Sequence, residues 1–276
     1  MVAALLRMQL SKMANIKGYN QYLLKSGDNS LGTFDNDLTK ISISNEVNSD
    51  SHLTILKLNN VRDIEIELKD NSYLLLSSLL DEEINDLSIK VIAKSGATLE
   101  GFVADFSKNN LNFNCVVDLK EENASAYIKL ASLSSNKDDK KISISINHLV
   151  GKTFGRVDNY GVCKDLGKLL FAGTSHIFEK AIKSKTQQNA KIMVFDEAST
   201  AVAKPILKID ENDIEASHAA VVGKINDEHL FYLTSRGISE ADAKQLITFG
   251  YLKPILAGFN NEDTRNYISS LIERRM

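Results

Sequence analysis

The sequence predicts a mainly β fold, on three observations. Short segments between Ile41 and Ile146 alternate apolar with polar residues, a period of two that sets one side against a core and the other against water. The breaks between them are rich in Asn, Asp, Ser, Lys and Gly, while proline occurs only at Pro205 and Pro254. Small-residue turns leading into apolar strands also recur, with Ser72, Ala97, Ala124 and Thr153 standing 25, 27 and 29 residues apart. Such intervals suit stacked coils that bury their inner faces on one another. They also suit hairpins, so periodicity alone leaves a sandwich, a barrel and a β-solenoid open.

The alternating segments are Ile41-Ser-Ile-Ser44, Leu53-Thr-Ile-Leu-Lys-Leu58, Ile64-Glu-Ile-Glu-Leu68, Leu87-Ser-Ile-Lys-Val-Ile92 and Ile142-Ser-Ile-Ser-Ile146. A doubly wound βαβ fold needs amphipathic crossover helices, and the stretch offers a single candidate, Ser175 to Gln188, where Ile177, Phe178, Ala181 and Ile182 would share a face. After the β region the texture turns helical. Ser239 and Asp242 start a helix as N-cap and dipole partner, with Ala243, Leu246, Ile247 and Tyr251 on one face and Pro254 near its end. A second helix, capped at or near Asn261, aligns Tyr267, Ile268, Leu271 and Ile272. The expected organisation is residues 1–40 as a short helix and polar linker, 41–236 as the β core and 237–276 as a helical segment.

Composition excludes several function classes. The 33 basic and 36 acidic residues are mixed along the chain and provide no basic stripe for nucleic acid. The apolar run before Arg7 is too short for a signal peptide, and no later run reaches the roughly twenty residues of a membrane-spanning helix. A cytoplasmic location is therefore expected, with Met1 or Met13 as the start. Cys115 and Cys163 fit no metal-knuckle spacing and read as small buried residues. Gly151-Lys152-Thr153 lacks the upstream glycine of a phosphate loop, since Ile146 stands there, and Gly161 to Gly167-Lys168 has the wrong spacing and ends in Leu169. No autonomous ATPase is expected, and G-x-S-x-G, H-E-x-x-H and G-x-G-x-x-G are absent. His52, His148, His176 and His229 show no paired metal spacing.

The segment Pro205-Ile-Leu-Lys-Ile-Asp-Glu-Asn-Asp-Ile-Glu-Ala-Ser-His218-Ala-Ala-Val-Val-Gly223, continued by Phe231-Tyr-Leu-Thr-Ser-Arg236-Gly-Ile, closely resembles the signature of the SufB/SufD family of iron–sulfur cluster assembly proteins. Fainter similarity reaches upstream to Asp158. Leu233 and Ser217 stand where SufB-like chains carry a cysteine and a glutamate, and Ala216 where some SufD relatives carry a cysteine, so the resemblance is to the SufD branch.

The resemblance implies a right-handed parallel β-helix with short helical segments at both ends. It implies a non-catalytic scaffold that pairs with a SufB-type subunit, or with itself when alone, and docks a SufC-type ATPase. Ala243, Leu246, Ile247 and Tyr251 are the candidate docking face; packing on the chain's own β-helix is the competing role for that face. His218 is the candidate interface residue and transient metal ligand, its imidazole being suited to iron. No cofactor is expected to be tightly bound, iron or a cluster passing through as cargo. Neither nucleic acid nor membrane is an expected partner. A homodimeric scaffold working without SufB is one alternative. A β-helical carbohydrate-active enzyme is the other, disfavoured because no repeated array of acids and bases lies along the strands.

Overall fold

The computed structural model describes residues 14–15, 21–24, 26–31, 39–55, 61–80 and 84–276. In chain order the first strands are β1 (Ala14–Asn15), β2 (Gln21–Leu24), β3 (Gly27–Leu31), β4 (Lys40–Asn45), β5 (Asp50–Ile55) and β6 (Asp63–Leu68). They are followed by β7 (Tyr73–Leu80), β8 (Asp86–Ala93), β9 (Thr98–Asp105), β10 (Leu111–Leu119), β11 (Ser125–Ser134) and β12 (Asp139–His148). The last are β13 (Phe154–Cys163), β14 (Lys168–Ile177), β15 (Lys185–Val194), β16 (Thr200–Ile209) and β17 (Glu215–Lys224). Apart from an antiparallel β1–β2 pair, even-numbered strands pair in parallel in one sheet and odd-numbered strands from β3 to β17 in the other. The chain therefore coils from sheet to sheet, and the fold is a parallel β-helix.

Inward side chains stack in ladders from coil to coil. In the first sheet Ile64, Ile89, Cys115 and Ile144 follow one another in register, as do Leu87, Phe113, Ile142 and Phe171. All of these are buried. The turns are made by residues with positive φ, among them Asn71, Gly96, Asn123 and Lys152. Asn tolerates this left-handed backbone better than most residues, because its short side chain bonds locally. Directly after each comes Ser72, Ala97, Ala124 or Thr153, every one of them buried. The repeat visible in the sequence is thus the point where each coil turns inward before a strand of the second sheet. Both cysteines are buried and free, and burial pushes Cys115 up to about 12.

Three expectations need revision. Ser175 to Gln188 is not a helix: it is the end of β14, a turn, and the start of β15. Its candidate helix face dissolves because Ile177 is the last inward residue of β14, while Ala181 is buried in the turn. The helix assigned within residues 1–40 would fall largely outside the described residues, and those described there are strands that extend both sheets. Within 41–236, the strands end at Lys224 and helix α1 (Asp227–Thr234) already begins inside the segment assigned to the β core.

Helix α2 (Glu240–Leu252), a 3-10 segment (Lys253–Gly258) and helix α3 (Glu262–Arg274) complete the chain. Ser239 caps α2 by accepting from Asp242 N, and Asn261 caps α3 by accepting from Thr264 N, as the sequence predicts. These elements lie on the outer face of the second sheet. Leu252, Ile255, Phe259, Ile268 and Ile272 form one buried cluster with Leu79, Ala104, Phe106, Ala131, Leu133 and Val162. Strand β7 is consequently buried on both faces. No helix among the described residues is long and apolar enough to cross a membrane.

Candidate functional site: the open end of the β-helix

The site begins with an inner ladder of the second sheet that changes character along its length. Leu76, Gly101, Ile128, Val157, Gln188 and His218 succeed one another in register. The early members fill an apolar core. From β15 on the interior turns polar: Gln188 is buried and its amide Nε2 donates to Ser175 Oγ at 2.7 Å and to Ile206 O at 3.1 Å. Thr186 donates to the same Ser175 hydroxyl at 2.7 Å. His218 occupies the next inward position, on the final strand, and is exposed because no coil covers it. Its ring has no hydrogen-bond partner among the described residues.

The sequence builds this opening deliberately in chemical terms. Ala201, Ala203 and Pro205 on β16 and Ala216 and Ala220 on β17 hold the inward register of the last coil, where earlier coils carry Leu, Ile or Phe. Small side chains leave its floor accessible. Strands β16 and β17 each pair on one side only, to β14 and β15, so their outer edges present free backbone donors and acceptors. Around them stand exposed apolar side chains: Val202, Val221 and Val222 on the strands, Phe231 and Tyr232 on α1. Helix α1 is started by the Asn226 side chain and buries none of its residues, leaving Phe231 73% exposed. Arg236 lies over the Tyr232 ring at 4.0 Å.

The four residues of the candidate docking face are divided by the fold. Ala243 is fully buried. Tyr251 meets Tyr160 of β13 edge-on, with ring centroids 5.7 Å apart, and burial raises its phenol pKa. Leu246 is 53% exposed and Ile247 is half-buried. Near them a groove of about 420 Å³ is lined by Gly250, Lys253, Pro254, Leu256, Ala257 and Arg265. Sequence reasoning found His218 through its motif but missed the exposed α1 aromatics, although they stand in the same motif.

Of the other histidines, His176 Nε2 lies 2.6 Å from Asp210 and its ring stacks on Phe178. His52 Nδ1 lies 2.9 Å from Asp28. Among the described residues no three His, Cys, Asp or Glu side chains converge as a metal site. His218 alone offers one nitrogen, so a metal held there would require donors from another chain.

Fold and site together define a parallel β-helical protein whose last coil is uncapped and carries a histidine on its inner register. A family model described as the SufBD core domain of SUF-system FeS cluster assembly matches residues 36–251. The chain belongs to this SufBD family. It is 31% identical over 148 residues to the iron–sulfur cluster assembly protein SufD of Bacillus subtilis, covering 54% of this chain and 34% of that protein. With SufD of Escherichia coli it shares 26% identity over 166 residues, 60% of this chain and 39% of the relative. With SufB of Bacillus subtilis it shares 26% over 195 residues, 69% and 42%. The aligned part spans well under half the length of each of these relatives.

Proposed function

We propose that this chain is a SufD-type scaffold of iron–sulfur cluster assembly, working in the cytoplasm without catalysis of its own and pairing through its open end with a SufB-type subunit. The observation that carries this reading is the uncapped last coil. Two free strand edges, a polar floor and an unpartnered His218 lie together there, and an edge-to-edge partner would satisfy all three. Iron or a nascent cluster is cargo at that junction, His218 supplying one ligand and the partner the rest. The exposed side chains of Leu246 and Ile247, beside the groove at Gly250, Lys253 and Arg265, are the surface on which a SufC-type ATPase docks. Buried Ala243 and Tyr251 support that surface from beneath.

The test is His218→Ala in a complex assembled with SufB-type and SufC-type subunits. Because the ring is exposed and unpartnered, the thermal midpoint of the isolated chain should stay unchanged. Iron or cluster accumulation by the complex should fall about tenfold or more, the scale of losses when a metal site is disturbed. Normal accumulation would remove His218 from the ligand set. Recovery of the chain only as a pair of identical copies, competent for accumulation, would favour the homodimeric scaffold.

A further inference from the structure

Where the second sheet turns back toward the first, the β-helix encloses an unusual set of charges. Lys140 and Asp105 are both fully buried, with Lys140 Nζ 2.8 Å from each carboxylate oxygen. The ammonium also donates to Ser107 O at 2.9 Å, and Ser132 Oγ donates to Asp105 at 2.6 Å. Beside this pair lies Asp138, whose side chain is 8% exposed and accepts from Ser135 N at 3.1 Å. Burial lowers the Lys140 pKa, and the field of the nearby Arg275 adds to that effect while Asp105 and Asp138 oppose it.

Counting only the strands and turns, this network holds two carboxylates and one ammonium. An uncompensated buried charge is strongly unfavourable, so the corner demands one more cation. Arg275, which follows α3, supplies it: its guanidinium is 1% exposed and pairs with Asp138 through Nη2. The same nitrogen donates to Ser135 Oγ at 2.7 Å, while Nη1 donates to Phe106 O at 3.1 Å. Lys164 Nζ donates to Met276 O at 3.2 Å and secures the next residue. A planar donor is used on separate sides by a carboxylate, a hydroxyl and a carbonyl, a geometry that a lysine ammonium does not reproduce.

We propose that this corner is a guanidinium-binding socket built from Phe106 O, Ser135 and Asp138, and that Arg275 is its built-in ligand, latching the α2–α3 layer onto the β-helix. The socket is independent of the open end: it faces the helical layer, and its charge balance involves neither His218 nor β17.

The experiment uses the full chain carrying Arg275→Ala, followed by thermal unfolding and hydrogen exchange with and without millimolar methylguanidinium. The thermal midpoint should drop by roughly 10 °C, and α3 amides should exchange about tenfold faster or more while β9–β13 amides change little. Methylguanidinium should restore part of both, whereas methylammonium at equal ionic strength should not, and Arg275→Lys should resemble the alanine variant. Equal rescue by both cations, no drop, or uniform loss of protection through the β-helix each overturns the socket. Should Arg275→Ala fail to fold, the double variant Asp138→Asn with Arg275→Met decides. Removing both charges should give a folded chain, and failure of this variant too would mean that the site is ordinary packing.

Discussion

Single residues in this protein are read by their depth in the coil. His148 ends the inward row of β12 and is fully buried, with Nδ1 2.8 Å from Thr153 Oγ1 and Nε2 without a partner. Gly155 makes room for it, since a Cβ there would stand 2.9 Å from Nε2. Desolvation depresses the His148 pKa from its ordinary 6.5 to about 4. The unfolded chain therefore takes up a proton near pH 6.5 that the folded chain refuses until about pH 4. Stability from this group is complete above pH 6.5 and is lost as the pH falls through that window, by up to about 3 kcal/mol. His148→Gln should flatten the loss measured by denaturant unfolding between pH 6.5 and 4, and an unchanged slope would refute the assignment. His218, by contrast, was legible because a long motif surrounds it. Arg275 was not: nothing in the run Ile-Glu-Arg-Arg-Met276 signals that one arginine is buried and its neighbour exposed.

At the scale of elements, legibility followed the chemistry of the inward face. Strands β4, β6, β8 and β12 alternate cleanly because their inner rows are Ile, Leu and Val, and all four were found. Strand β15 hides its alternation, since its inward residues begin with Thr186 and Gln188, whose polarity is satisfied only by Ser175 on a neighbouring strand. Strand β7 hides its own for the opposite reason. Its outward side is covered by the helical layer, so Leu75, Leu79 and Leu80 make a continuous apolar run. That covering depends on close approach at Gly258, whose carbonyl accepts from Ser77 Oγ and whose Cβ, if present, would stand 2.0 Å from Phe102 Cγ. Gly258→Ala should destabilise the chain by about 2 kcal/mol through this overpacking and loosen the layer toward proteolysis. Gly250→Ala is the matched control: it meets nothing within 4 Å and lies in a helix, where alanine is neutral or favourable. Equal behaviour of the two variants in denaturant titration would show that the interface is not tight at Gly258.

Across the whole molecule, the resemblance decided what periodicity left open. A spacing of 25 to 29 residues fits hairpins and coils alike, and only the parallel register distinguishes them. That register also records a steady widening. Successive strands of the second sheet are offset by 25 residues at Tyr73 and Thr98, 27 at Thr98 and Ser125, 29 at Ser125 and Phe154, and 31 at Phe154 and Lys185. Strands lengthen in step, from six residues at β4 to ten at β11 and beyond. The β-helix is a taper, and a taper has a direction in time as well as in space. In a stack where each coil leans only on its neighbours, the energy of docking a coil grows with the length of its rungs. The ribosome delivers the narrow coils first, before the wide ones that could hold them exist. We infer that the early coils wait as an unfinished template and that folding nucleates late, around β11–β14, then closes backward toward the start of the chain. Native-state hydrogen exchange should show β4–β6 opening at markedly lower free energy than β11–β14. Equal protection at both ends would mean that the widening shapes the molecule without ordering its assembly.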